Sequence, residues 1–227
     1  MSDGAAAPWR SSWVGADMAR GNVELRTYAF VDRLQPQMAA LLGSVMSGDP
    51  VVEGMSQLYL EISPGSDVYA LVDAAVKGAG VRPGSQVVER QYGMTELHSM
   101  SQDAVHQAGR TILDLLGMTE ADAQPAELVS AKIVSNIDAY QAQLVNRSKK
   151  GSLLVAGESM LVVECEPAAY ISAVGNEVEK SADVKIVDVR GVGQFGRLWI
   201  SGMHAEVESA RDAVRQAFEK TPWSNRR

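Results

Sequence analysis

Few residues in this chain combine type and spacing in a way that bears on chemistry, and the sharpest are Glu89 and Arg90 in Val87-Val88-Glu89-Arg90-Gln91-Tyr92-Gly93. Arginine offers a rigid fork of donors that fits carboxylates and other anions. The plain reading of such an adjacent pair is an exposed strand-end ion pair worth about 0 to 1 kcal/mol. Gly191-Val192-Gly193-Gln194 is the second candidate. Its glycines permit close backbone approach, which a tight hairpin alone also requires. The third glycine and the acidic residue of a dinucleotide site do not follow it.

Other reactive residue types lack partners at useful spacing. His98, His106 and His204 are the only histidines, and no His-x-x-x-His or paired cysteine spacing accompanies them. They read as solvated or capping side chains, so no metal is expected. The single cysteine, Cys165, closes no intrachain disulfide and reads as a small core residue. Glu158-Ser159 has no histidine at a motif position and no Gly-x-Ser-x-Gly elbow. Neither catalysis nor a cofactor is expected.

Composition narrows the partners. The 227 residues are 46% hydrophobic and 22% charged, the balance of an ordinary globular protein. A net charge of -7 gives no general attraction to nucleic acid or anionic lipid. Apolar runs fall well below the roughly 20 residues that span a bilayer, so no membrane is expected. Residues 1–22 lack the charged start and apolar stretch of a signal peptide and read as a tail, and the thiol usage points to a reducing cytosol. Trp9, Trp13, Trp223, Arg10, Arg226 and Arg227 cluster in the two ends, which are expected to be disordered.

The elements that position these residues are written twice. Gly54 and Gly157 stand 103 residues apart, and the same offset matches Val31 with Val134, Leu41 with Leu144, Gly48 with Gly151 and Glu61 with Glu164. It continues through Pro64 and Pro167, Lys77 and Lys180, Val81 and Val184, and Gly93 and Gly196. A fixed register of this kind marks a duplicated domain. The expected units are a tail at 1–21, one copy at 22–118, a second at 125–220 and a tail at 221–227, with a short polar linker ending at Pro125.

Each copy reads as strand, short helix, strand, helix, hairpin, helix, an α/β arrangement of the α+β kind in which two helices cover an antiparallel sheet. Strands are expected at 23–31 and 56–62, with 85–90 and 94–99 flanking a turn at Tyr92-Gly93. Val68, Leu71, Val72, Ala75 and Val76 fall on one helical face, as do Val105, Ala108, Ile112 and Leu115.

The second copy resembles the core of a bacterial microcompartment (BMC) shell domain. The resemblance rests on Met160-Leu161-Val162-Val163-Glu164, on Asn176-Glu177-Val178-Glu179-Lys180-Ser181-Ala182-Asp183-Val184, and on the hairpin 191–196. Leu128-Val129-Ser130-Ala131-Lys132-Ile133-Val134 precedes that core instead of closing it, so the domain is circularly permuted relative to single-domain members. Duplication with permutation resembles the tandem trimeric class, and Leu25-Arg26-Thr27-Tyr28 together with 87–93 is similar to its gated members, including the carboxysome type.

The resemblance implies a homotrimer that forms a pseudohexameric tile. Its pore would be lined by Glu89, Arg90 and Gln91 from one copy and Gly191, Val192, Gly193 and Gln194 from the other. It further implies passage of small metabolites, face-to-face stacking of two trimers, and Lys77, Lys180 and Arg33 at edges meeting hexameric tiles of a cytoplasmic microcompartment shell. Asn136 stands opposite Arg33 in the repeat, and Val192 and Gly193 stand opposite Glu89 and Arg90. No iron-sulfur cluster is implied, because Cys165 lies away from the pore loop. A duplicated small-molecule-binding regulatory domain is the alternative, since ferredoxin-like sensors use similar layers.

Overall fold

The structure, a computed structural model, describes residues 23–220. The residues of both tails singled out above lie outside that range. The first copy runs β1 (Glu24–Val31), α1 (Pro36–Val45), β2 (Ser56–Ser63), α2 (Val68–Gly78), β3 (Arg82–Glu89), β4 (Tyr92–Ser99) and α3 (Gln102–Leu116). The second runs β5 (Glu127–Val134), α4 (Ala139–Ser148), β6 (Ser159–Glu166), α5 (Tyr170–Ser181), β7 (Lys185–Arg190), β8 (Gly196–Gly202) and α6 (His204–Lys220). Each copy folds into one antiparallel sheet, ordered β1-β2-β4-β3 and β5-β6-β8-β7.

The offset of the sequence survives in the irregularities of the chain. Bulges lie between Leu25 and Thr27 and between Leu128 and Ser130, then between Pro83 and Ser85 and between Ile186 and Asp188. Pro64 and Pro167 both follow cis peptide bonds, and Gly54 and Gly157 both adopt positive φ. Two local details depart from expectation. The first hairpin turns at Arg90-Gln91, with Tyr92 and Gly93 already inside β4. A Cβ at Gly93 would stand 2.1 Å from the carbonyl oxygen of Gly65, so this glycine serves close approach to the turn ahead of α2. Val76 is exposed, not part of the core.

Helices α2 and α3 cover one face of the first sheet with Leu71, Ala75, Val105, Ala108 and Ile112 over Leu58, Leu60 and Leu97. The other face is closed by the second copy. Ala29, Val31, Tyr59 and Met94 share one core with Ala173, Val174 and Val178 of α5, and Met38 reaches Gly175.

Polar bonds seal this seam. Glu179 accepts hydrogen bonds from the amides of Gln37 and Met38 at 2.7 and 2.9 Å, which satisfies the free N-terminus of α1 from the other copy. Asn176 bonds to the amide of Gln35 and the carbonyl of Arg33. The Gln37 amide group donates to the carbonyl of Val184 and accepts from the amide of Ile186. Between the copies, Gly117 ends α3 in the left-handed region and Thr119 and Asp122 cap a single turn, so the linker is short and ordered.

Candidate functional site

The β3–β4 hairpin presents Glu89, Arg90 and Gln91, all exposed. Arg90 opens its two-residue turn at φ 55°, a left-handed conformation that costs a non-glycine residue about 1 kcal/mol. Gly193 occupies the equivalent position between β7 and β8 at φ 99°, where only glycine is at ease. A Cβ at Gly193 would stand 3.6 and 3.7 Å from the two Glu89 carboxylate oxygens. The two hairpins, far apart in sequence, therefore lie side by side. Val192 packs against the shared core, Gly191 lies against Ser172 of α5, and Gln194 is exposed.

A buried ionic group supports the first hairpin. Gln91 Nε2 donates to the Tyr92 hydroxyl at 2.6 Å, and the Arg26 guanidinium lies 4.0 Å over the Tyr92 ring. Arg26 Nε donates to Glu61 Oε1 at 2.7 Å, and Glu61 Oε2 accepts from the amide of Ala169 at the start of α5 at 3.0 Å. Burial raises the Glu61 carboxyl above the usual range, against the pull of Arg26. Arg26 Nη2 has no hydrogen-bond partner; the Glu166 carboxylate stands 3.7 Å from it.

The second copy replaces this arrangement. Arg197 Nε donates to Glu164 at 2.8 Å and holds that carboxyl below its usual range. Lys149 Nζ lies 2.9 Å over the Trp199 ring and 3.5 Å from Asp188, and burial lowers its pKa.

The remaining candidates fall in separate places. Lys77 pairs with Asp73 on its own helix and is exposed. Lys180 bonds to Asp32 at 3.0 Å and to Glu177 at 2.8 Å, which puts it on the seam between the copies beside exposed Arg33. Cys165 is buried, and burial pushes its thiol far up. Two of the three histidines differ from expectation, whereas exposed His204 at the start of α6 agrees with it. His98 is buried between Glu96 and Asp49, and His106 stacks on Phe30 at 4.0 Å. His204 does approach Ser159, at 3.3 Å, but Ser159 is buried and Glu208 is 4.0 Å from the far ring nitrogen, so no activated nucleophile is assembled.

Two groups escaped the sequence reading, Arg26-Glu61-Tyr92 and Asp49-Glu96-His98. The signal was available in the repeat. Val129 stands opposite Arg26, Trp199 opposite Glu96 and Ser201 opposite His98, so at these three positions the polar residue of the first copy has no charged counterpart in the second.

Comparison with known proteins fits this architecture. A family model for the CsoS1D N-terminal domain matches residues 25–122. The carboxysome shell protein CcmP of Synechococcus elongatus (strain ATCC 33912 / PCC 7942 / FACHB-805) is 43% identical over 197 residues, 87% of this chain and 92% of that protein. The fused permuted hexameric shell protein MSM0275 from the RMM microcompartment superimposes with a TM-score of 0.82 at 43% identity, covering 86% of this chain and 96% of that one. The double-ringed trimeric shell protein MSM0271 from the same microcompartment gives 0.83 at 34% identity, over 88% and 97%. A duplicated regulatory domain finds no support beside relatives that span nearly the whole chain. This protein belongs to the tandem-domain, circularly permuted family of bacterial microcompartment shell proteins, and its role is structural.

Proposed function

We propose that three chains close head to tail into a pseudohexameric tile whose central pore is lined by both hairpins. One observation carries this reading: positions related by the repeat are buried at the seam within the chain and exposed where the next chain would stand. Val31 is 4% exposed and Val134 45%; Leu41 is 3% and Leu144 41%; Ser172 is 5% and its counterpart Tyr69 57%. Repeating the internal seam between chains covers β5 and α4 of one subunit with α2 of the next, and cyclic closure follows.

Copies 22–118 and 125–220 then alternate around the axis. Glu89, Arg90 and Gln91 alternate with Gly191, Val192, Gly193 and Gln194, an order supported by the nearness of the Glu89 carboxylate to Gly193. Glutamates and arginines pair across a closed pore, and outward rotation of the side chains opens a ring suited to small anionic metabolites. Exposed Lys77 and Arg33, with Lys180, meet hexameric tiles at the outer edge, and two trimers stack face to face. The tile is non-catalytic and belongs to a shell in the cytoplasm.

Solution mass measurement tests the closure. The native chain is expected at three times its own mass, or six where trimers stack, and Leu144→Asp is expected to give folded monomers. A native chain that remains monomeric at high concentration overturns the reading.

A further inference from the structure

His98 is a histidine that two carboxylates face from opposite sides of its ring. Nδ1 lies 3.2 Å from both oxygens of Glu96, and Nε2 lies 3.3 Å from Asp49 Oδ2. Neutral imidazole carries one N–H, so only the charged ring donates to both neighbours. Glu96 is fully buried and also accepts from Gln57 Nε2 at 2.9 Å and from the amide of Gly84 at 3.1 Å, at the bulge of β3. Asp49 sits in the loop between α1 and β2, its carboxylate half exposed. That loop is stitched to β3 by the amide of Gly48 to the carbonyl of Gly84 and the amide of Asp49 to the carbonyl of Pro83, each at 2.9 Å.

We propose that Asp49, Glu96 and His98 form a pH-dependent latch that fastens the α1–β2 loop to the outer end of β3 while His98 is charged. The groups facing the ring are Glu96 from its own strand, Gln57 from β2, Asp49 from the loop, and exposed Arg82, its ladder partner on β3. Tyr59 of β2 donates to Gln57 at 3.1 Å and extends the network.

When the ring loses a proton, the one that stays is on Nδ1. A fully buried Glu96 carboxylate without a donor costs more than an Asp49 carboxylate that water reaches. The bond to Asp49 is therefore the one that breaks. Burial alone would lower the His98 pKa, but Glu96 and Asp49 outweigh it and hold the ring above the ordinary imidazole value. A raised value means the stabilisation is complete below the ordinary imidazole pKa and is lost as pH climbs through the raised one. The other end of β3 is Glu89, so the latch lies on the strand that carries the pore-side charges, though it stands whether or not those charges gate anything.

The second copy supplies an internal control. Its loop makes the same backbone bonds, Gly151 to Val187 and Ser152 to Ile186, but Trp199 and Ser201 stand where Glu96 and His98 do.

Hydrogen exchange of the assembled native protein at about pH 6 and about pH 9, corrected for intrinsic rates, reads both loops at once. Protection in 46–51 and 82–85 is expected to fall about tenfold more than in 149–152, the size of one lost hydrogen bond to a charged group. Asp49→Ala, which alters a half-exposed group, is expected to leave the first loop equally open at both pH values, and His98→Gln to abolish the difference. Equal responses in the two loops of the native protein, or a pH response that persists in Asp49→Ala, overturn the latch.

Discussion

The two copies share a backbone down to their bulges and differ in where they keep charge. The first buries it: Arg26 with Glu61, and His98 with Glu96. The second carries Val129, Trp199 and Ser201 at three of those positions, leaves its own Glu164–Arg197 pair partly exposed, and buries charge elsewhere, at Asp188 beside Lys149. Apolar alternation dictates the strands in both, and the polar residues are free to diverge because each copy has a different neighbour. Helix α5 seals the first sheet within the chain, whereas the matching face of the second sheet is left open.

That contrast can be broken at several points. The largest effect is expected from Arg26→Met, which strands a buried Glu61; chemical denaturation should show a loss of about 3 to 5 kcal/mol. Arg197→Met removes the partly exposed counterpart and should cost at most about 1 kcal/mol, so equal losses would erase the distinction. Gly193→Ala should lower stability by about 1 to 2 kcal/mol, because φ 99° suits glycine alone, whereas Arg90→Gly should be neutral or gain about 1 kcal/mol. Thermal melts of the two variants, shifted in opposite directions, would sharpen the comparison. The smallest change is expected from Lys149→Met, which copies Met46 of the first repeat. Losing the cation over Trp199 is offset by removing a partly buried charge, and buried Asp188 keeps Arg190 at 3.2 Å, so the net effect on the melt should stay within about 1 kcal/mol.

Much of the fold was legible because the register of 103 residues ties each element to a second version of itself. Ser56–Ser63 and Ser159–Glu166, for example, are one strand read twice. Composition points to a turn at Tyr92-Gly93, two residues beyond the actual one at Arg90-Gln91, which forces an arginine into the left-handed region. Periodicity puts Val76 on the apolar face of α2, but it reports a helix face and not what stands opposite it, and Val76 is exposed.

The site was half legible. Glu89 and Gly193 are conspicuous by type, but their nearness depends on how the copies dock. Glu96 and His98 hid in plain alternation, because a strand covered on both faces gives no outward sign of which polar residue is buried.

The shared core also constrains the order in which the protein can be made. Ala29, Val31 and Tyr59 emerge from the ribosome long before Val174 and Val178, the residues that close over them. Until α5 is translated, that face of the first sheet lacks the helix that closes over it, and of the residues in this core α1 supplies only part of the cover. The N-terminal half is thus not a unit that finishes folding early and waits; it is completed by the half that follows.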